Sequence, residues 1–339
     1  MSVSFWSSAG DGKQRARRTA ILVTTNLISL VCLWWVLHDL NLSGLKAEIK
    51  DLDWRWIAVA AVSDVVVYFW QGWRWSLLLN PITAVPVWQS TRAIFVGLFA
   101  NELLPLRSGE VIRCYLQSLW SKIPLSVSLA SALIERIFDG IWLVLCLLLT
   151  YRRVGLPRDM LYFTAVVGLL VTGMALLVGF AMFHKQHAHA ALSGSKWHKH
   201  VRVLIDDLHL IGRSRSLYFS FLVSLPFLLF QIVPIYALTQ AYGFDISVGG
   251  AAVIVVILRL SAAVPQAPGN LGGFQAATIL TLRMLGIEGP IAKRFSLVSW
   301  VVITLPLLIA GFVALIITGA RLADLHREAQ SKIEAKAQG

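Results

Sequence analysis

The stretch Asn101-Glu-Leu-Leu-Pro-Leu-Arg-Ser-Gly-Glu-Val-Ile-Arg113 decides how the rest of the chain is organised. Residues 94–100 before it are apolar enough to enter a bilayer, and Pro105 and Gly109 then interrupt the helical pattern. Irregular backbone at membrane depth leaves peptide groups unpaired, so it persists only where protein or a wet cavity supplies partners. Charges at that depth are costly and by default mark a functional path. The charged residues of this stretch are Glu102, Arg107, Glu110 and Arg113.

A second broken stretch lies far downstream and repeats the order of the first. Val264-Pro-Gln-Ala-Pro-Gly-Asn270 aligns with Leu104-Pro-Leu-Arg-Ser-Gly-Glu110. Both run through an apolar residue, a proline, two variable residues, a turn former, a glycine and a polar residue. We interpret them as two copies of one structural motif, in which a non-helical segment separates two half-length apolar segments. The residues of interest in and after the second copy are Pro265, Pro268, Gly269, Asn270, Gly272 and Gln275.

The composition fixes the broad class of the protein. Hydrophobic residues make up 57% of the chain and charged residues 14%, which excludes an ordinary soluble domain of 339 residues. The net charge of +12 would indicate nucleic-acid binding in a soluble protein. Here the basic residues gather at the ends of apolar runs, where they indicate membrane topology, so no nucleic-acid partner is expected. The scattered cysteines favour neither a disulfide framework nor a zinc site, and no metal or other cofactor is expected.

Runs of about 20 apolar residues predict an all-α polytopic membrane protein with about six full spans plus two re-entrant helical hairpins. The predicted full spans are 20–37, 56–79, 125–150, 160–183, 217–240 and 295–319. The chain divides into a basic cytoplasmic N-terminus (1–19), a first membrane half (20–183) with a re-entrant hairpin (88–120), a cytoplasmic basic loop (184–216), a second membrane half (217–319) with a re-entrant hairpin (248–286) and a cytoplasmic tail (320–339). Lys and Arg are more numerous in the proposed inner segments, which places both termini in the cytoplasm of an inner-membrane protein.

In this topology the two hairpins enter from opposite faces, as an inverted repeat requires. In transporters of that kind broken helices meet near the midplane, and their positive N-terminal ends face an anionic substrate. Helices that begin at Ser108–Gly109 and at Asn270–Leu271 would present free backbone N–H groups. Arg107 and Arg113 would add bidentate contacts to a phosphate. Valine at Gly109 should then be worse than alanine, because bulk would keep the backbone from the ligand.

The same charged residues also have structural explanations. Glu135, Arg136 and Asp139 share one helix, and they either act on a substrate or lock helices together through buried ion pairs. Proton coupling through Glu135 or Asp139 is a further alternative. In the first stretch, Glu110 and Arg113 would neutralise each other at i,i+3 in the structural alternative.

Five other residues are weighed in the same way. Ser108 is a candidate N-cap for the helix that starts at Gly109. Asp64 and Arg259 are lone charges for which both a functional and a structural role stay open. Arg74 and Arg283 lie near helix ends and are interpreted as snorkelling side chains.

Three motifs together resemble the lysylphosphatidylglycerol synthase transmembrane, or flippase-like, family. They are Asn101-x-x-Leu-Pro105-x-Arg107-x-Gly109-Glu110-x-x-Arg113, then Glu135-Arg136-x-x-Asp139, then Pro265-x-x-Pro268-Gly269-x-Leu271-Gly272. The resemblance covers roughly residues 19–319. The third motif of the family commonly continues to a glutamate, where Gln275 stands here, which puts in doubt a role that needs a carboxylate. Two-domain members carry a soluble aminoacyl-transfer domain after the membrane unit, and this chain is expected to be a stand-alone membrane domain.

The resemblance implies translocation of a lipid or lipid-linked headgroup across the inner membrane, not an enzyme. The expected partner is a membrane lipid with an anionic headgroup, and an enzyme that makes this lipid is a candidate partner. The alternative is a membrane-embedded enzyme or accessory subunit in which Glu110, Glu135 or Asp139 acts as a general base. The sequence contains no Walker loop, zinc signature or nucleophile elbow, which favours the translocase. The expected transport site comprises Asn101, Glu102, Pro105, Arg107, Gly109, Glu110, Arg113, Glu135, Arg136, Asp139, Pro265, Pro268, Gly269, Asn270, Gly272 and Gln275.

Overall fold

The computed structural model describes residues 48–104, 108–154, 168–178, 180, 211–212, 214–262 and 268–337, which form helices and connecting turns with no strand among them. The helices are α1 (Trp54–Leu79), α2 (Val87–Leu103), α3 (Gly109–Ser121), α4 (Leu125–Val154), α5 (Gly168–Val178), α6 (Arg215–Phe230), α7 (Ile232–Ala241), α8 (Val248–Ser261), α9 (Gly273–Met284) and α10 (Pro290–Ala337). A 3₁₀ turn, Pro268–Asn270, lies between α8 and α9. The all-α class predicted from the sequence is confirmed for this part of the chain.

Several predicted features fall outside the described residues. They are the N-terminus (1–19), the first span (20–37), most of the span 160–183, most of the loop 184–216, and the site residues Pro105, Arg107 and Pro265. These remain predictions.

Two stretches of the described chain are long and apolar enough to cross a membrane. One comprises α6 and α7 (Arg215–Ala241, 27 residues), and the other is the apolar part of α10 (Pro290–Gly319, 30 residues). The break between α6 and α7 falls at Gln231 because Pro234 has no N–H to donate to the carbonyl of residue 230. This proline therefore explains the break within the span, and the count of six spans remains a prediction.

The outward face of α10 is apolar. Along this face Val301, Leu305, Ile309, Phe312 and Ile316 are each 46–57% exposed. Their spacing of three or four residues places them on one stripe of the helix. A continuous apolar stripe of this length is unfavourable against water and favourable against lipid tails.

The structure contains two pairs of half-length helices, as the sequence predicted, and in each pair a non-helical segment separates the two helices. The first pair is α2 (17 residues) and α3 (13 residues), and the second is α8 (14 residues) and α9 (12 residues). The predicted start of α9 at Asn270–Leu271 is wrong, because this helix begins at Gly273. Gly269 (φ 72°), Asn270 (φ 52°) and Gly272 (φ 84°) are left-handed, so the turn continues past the expected start. Whether the pairs re-enter the membrane remains a prediction.

The buried apolar residues form two principal clusters that share α1 and α10. The first cluster joins the start of α1 to α7, α8, α9 and α10, with Phe295 fully buried in it. The second joins the end of α1 to α2, α3, α4 and α10, with Trp75 fully buried. The two half-length pairs thus pack into different clusters, and the cavity described below is lined by residues of both.

Candidate functional site

The acidic residues of α4 form the centre of a buried ion-pair network. The Glu135 side chain is fully buried and accepts hydrogen bonds from Arg74 Nη2 (3.3 Å) and Arg113 Nη1 (3.0 Å). Asp139, one turn further, accepts hydrogen bonds from both terminal nitrogens of Arg74. The helical spacing of four residues places both carboxylates on the face that receives these guanidinium groups.

Glu110 closes the network into a ring. One of its oxygens accepts from Arg113 Nε (3.0 Å), and the other accepts from Arg136 Nη2 (2.8 Å). Arg136 Nη1 lies 3.7 Å from Asp139 Oδ2, which completes the circuit. Cations and anions alternate around this charge ring, which consists of Arg74, Glu135, Arg113, Glu110, Arg136 and Asp139.

The charge ring contains equal numbers of guanidinium and carboxylate groups. A buried charge is tolerated only when it is paired and hydrogen-bonded, and here every carboxylate meets two guanidinium groups. Aromatic rings cover the two inner arginines, with Arg74 4.3 Å from the centroid of Phe227 and Arg113 4.6 Å from that of Trp75. Arg113 is therefore committed to protein partners, and a ligand phosphate would have to displace them.

The structure contradicts the interpretation of Arg74 as a snorkelling side chain. Arg74 is fully buried and also donates from Nη1 to Ser224 Oγ (3.0 Å). Its partners on α4 are more than sixty residues away in the sequence, so no local pattern indicated them. The sequence contained one indirect signal, which is that buried carboxylates on α4 need cationic partners from elsewhere in the chain.

Arg136 and Glu110 form the accessible edge of the charge ring. The Arg136 side chain is 42% exposed and that of Glu110 is 38% exposed. Both line a cavity of about 230 Å³. The ring thus presents the ion pair of Arg136 and Glu110 to this cavity, while its other four residues do not line the cavity.

The first break is closed by a contact between α2 and α3. Asn101 Oδ1 accepts a hydrogen bond from the backbone N–H of Gly109 (2.9 Å). Ser108 occupies the N-cap position as predicted, but its side chain makes no capping bond, and Asn101 satisfies the Gly109 donor instead. The N–H of Gly109 is therefore not one of the free donors that the sequence predicted at this helix start.

The second break lies directly against the first. Trp300 Nε1 donates to the carbonyl of Gly269 (2.8 Å) and fixes the 3₁₀ turn to α10. A Cβ atom on Gly269 would lie 3.2 Å from Glu102 Oε2, so the turn packs against the end of α2. The two motifs, more than 150 residues apart in the sequence, thus meet in space.

The cavity lies where these two motifs meet. The first half contributes Asn101, Glu102, Glu110 and Arg136 to its lining, together with Asp64 and Tyr68 of α1. The second half contributes Gln231, Arg259, Asn270, Phe274 and Trp300. Asp64 and Arg259, lone charges in the sequence, therefore face one space. Sequence analysis did not single out Gln231, because its only signal is its place at the break between α6 and α7.

The remaining predicted site residues support this arrangement from outside the cavity lining. Pro268 and Gly269 form the 3₁₀ turn, Gly272 precedes α9, and Gly109 lies at the crossing of α2 and α3. The sequence therefore grouped residues that the fold brings close together, while Glu135, Arg113 and Asp139 lie within the charge ring. In the described residues, no group of three His, Cys, Asp or Glu side chains is placed to hold a metal ion.

Gln275 caps the start of α9. Its Oε1 accepts a hydrogen bond from the backbone N–H of Gly272 (2.7 Å), and the residue is fully buried. A carboxylate oxygen at this position would accept the same bond, so the cap itself does not require an amide.

We expect Gln275→Leu to lose roughly 1–3 kcal/mol of stability, because leucine leaves the buried Gly272 N–H without an acceptor. Thermal unfolding in detergent measures the difference. Equal stability of the leucine variant and the parent would contradict the capping role.

Comparison with known proteins gives one family and several relatives. The family described as lysylphosphatidylglycerol synthase TM region matches residues 21–311. A UPF0104 membrane protein of Methanothermobacter thermautotrophicus is 27% identical over 268 residues, which cover 74% of this chain and 79% of that protein. A second UPF0104 membrane protein of this organism is 19% identical over 83% of this chain and 89% of its own length. Glycosyltransferase AglD of Haloferax volcanii is 27% identical over 38% of this chain and 20% of that protein. No solved structure matches.

Proposed function

Because the chain belongs to the lysylphosphatidylglycerol synthase transmembrane family of membrane proteins, we propose that it translocates a lipid or lipid-linked headgroup across the inner membrane. One observation carries this proposal. Two broken helix pairs, one from each half of the chain, meet at a cavity with charged walls inside an apolar helical body. Charges at such a place are costly unless a polar ligand or pathway uses them.

The headgroup phosphate would lie between Arg136 and Arg259, the two guanidinium groups in the cavity lining. Arg136 is the accessible cation of the charge ring. If it turned towards a phosphate, Glu110 would keep its contacts to Arg113, at 2.9–3.0 Å. A ligand thus exchanges one ion pair for another and leaves no buried carboxylate unpaired.

The predicted inverted topology suits a transport cycle in which the cavity opens to each side of the membrane in turn. If the pairs α2–α3 and α8–α9 enter from opposite faces, the cavity between them is reached from one face at a time as the halves rock. The acyl chains would stay in lipid beside the apolar outer helices, while the headgroup passes through the cavity. Both termini would then be cytoplasmic, as the distribution of Lys and Arg predicts.

Translocation is measured in two sets of liposomes with external dithionite, one with a trace of fluorescent phosphatidylglycerol and one with a trace of fluorescent phosphatidylethanolamine, each labelled on an acyl chain. We expect the full-length parent to expose inner-leaflet lipid to the quencher and Arg136→Gln to slow this on the order of tenfold, as for one lost charge-assisted contact. Arg283→Gln, at an exposed arginine of α9 outside the cavity lining, is the matched control. Parent liposomes that bleach like protein-free ones with both lipids would contradict the proposal.

One observation favours the alternative of a membrane enzyme or accessory subunit. Part of the chain is similar to part of a protein named a glycosyltransferase. In this alternative the purified protein changes the mass of a supplied lipid, either by itself or when an enzyme that makes the lipid is added. A translocase leaves the mass of the lipid unchanged. Mass spectrometry of the recovered lipid therefore separates the two functions.

A further inference from the structure

Two buried polar atoms in the cavity wall have no hydrogen-bond partner in the described part of the chain. One is Oδ2 of Asp64, whose residue is 8% exposed, and the other is Nε2 of Gln231, whose residue is 7% exposed. Both residues line the cavity. An unsatisfied buried group is costly and in native proteins needs an explanation.

The chemistry of these two atoms is complementary. Asp64 offers an anionic acceptor, and Gln231 offers a neutral donor. The orientation of the glutamine amide is fixed, because its Oε1 accepts a hydrogen bond from Arg259 Nη2. The Nε2 atom is therefore the end of the amide that is left to donate to a ligand. A molecule that satisfies both sites must bring a donor to Asp64 and an acceptor to Gln231.

The charge of Asp64 indicates which kind of ligand donor suits it best. Asp64 is a buried carboxylate in the same cavity wall as Arg259. A hydroxyl group would satisfy the hydrogen bond and add no charge, whereas an ammonium group would also neutralise the carboxylate. Tyr68, one helical turn from Asp64, places an aromatic side chain in the same wall, and aromatic faces attract organic cations.

The charge of Arg259 likewise indicates which kind of ligand acceptor suits Gln231. The Nε2 atom of Gln231 and the guanidinium group of Arg259 are held together by their hydrogen bond, so they present donors and positive charge at one place. An anionic phosphate oxygen is the acceptor that suits this pair best. The cavity therefore has an anionic subsite wall at Asp64 and a cationic one at Gln231 and Arg259.

We propose that Asp64, Gln231 and Arg259 form a recognition subsite for a zwitterionic phospholipid headgroup. Its ammonium lies at Asp64, and its phosphate, between Arg136 and Arg259, also accepts a hydrogen bond from Gln231. This inference rests on the proposed function and narrows its substrate class. It assigns Asp64 as the residue that distinguishes an amino headgroup from a headgroup that carries only hydroxyl groups.

The test uses the full-length protein in detergent and two short-chain probes, dihexanoyl phosphatidylethanolamine and dihexanoyl phosphatidylglycerol. These probes share the phosphate and the tails and differ in an ammonium against hydroxyl groups. We expect the parent to bind the ethanolamine probe at least about tenfold more tightly, which corresponds to about 1.4 kcal/mol. Asp64→Asn should remove this preference by weakening the ethanolamine probe alone.

A matched control is available on the same helix. Ser63 is also 8% exposed, bonds to the carbonyl of Ala60 and lies outside the cavity lining, so Ser63→Ala should keep the preference. Equal affinity of the parent for the two probes would overturn the inference, and this comparison stands even if Asp64→Asn does not fold. An unchanged preference in a folded Asp64→Asn would overturn it as well. If the parent binds neither probe, the proposed lipid function fails together with the inference.

Discussion

The Glu135→Gln variant is expected to be about 3–5 kcal/mol less stable than the parent, the cost of breaking a buried pair from one side. Glu135 is fully buried and accepts from Arg74 and Arg113 together. Glutamine preserves the shape and one acceptor but removes the charge, so two guanidinium groups remain in a buried site with too few anions. Thermal unfolding of detergent-solubilised protein measures the loss, with the exposed Glu288→Gln as control.

A double variant distinguishes charge balance from simple packing. Arg113→Gln combined with Glu135→Gln removes one cation and one anion and leaves the Arg74–Asp139 and Arg136–Glu110 pairs in place. We therefore expect the double variant to be more stable than Glu135→Gln alone. If it is less stable by the sum of the two single losses, the two charges act independently and the coupled ring is wrong. If Glu135→Gln keeps full stability yet stops transport, the ring serves the substrate more than the fold.

Local signals in the sequence predicted much of this arrangement. Pro105 and Gly109 indicated a break, and α3 begins at Gly109 as expected. The spacing of Glu135 and Asp139 indicated a shared helix face, and both face Arg74. These features depend on residues within a few positions of one another, so periodicity and turn chemistry are sufficient to find them.

Long-range pairing was beyond the reach of such signals. A position near a helix end suggested that Arg74 snorkels, but acids more than sixty residues away hold it in the interior. The same limit applies to the start of α3, where a local rule favoured Ser108 as the cap and Asn101, reached across the break, takes the bond. The repeated residue order and the predicted inverted topology grouped the two broken motifs as one site. The fold added Asp64, Gln231 and Arg259 to it because α1, α7 and α8 pack around the same cavity.

Gly109→Ala is expected to be nearly as damaging as Gly109→Val. A Cβ atom at Gly109 would lie 1.8 Å from the backbone oxygen of Gly97 and 2.6 Å from Asn101 Oδ1. A backbone oxygen cannot move aside without separating α2 from α3, so the first methyl group already causes the clash. This differs from the sequence-based expectation that only bulk would matter, because the close neighbour is a helix and not a ligand.

The expected loss for Gly109→Ala is roughly 3 kcal/mol, at the upper end of the usual cost of overpacking. Thermal unfolding and yield of folded protein in detergent measure it. Gly173→Ala is the matched control, since nothing lies within 4 Å of a Cβ atom at that helical glycine, and alanine there removes the helix penalty of glycine. If Gly109→Ala melts like the control while Gly109→Val alone fails, the α2–α3 crossing is looser than the structure indicates. If alanine and valine fail together, Gly109 is required for helix packing before any ligand is considered.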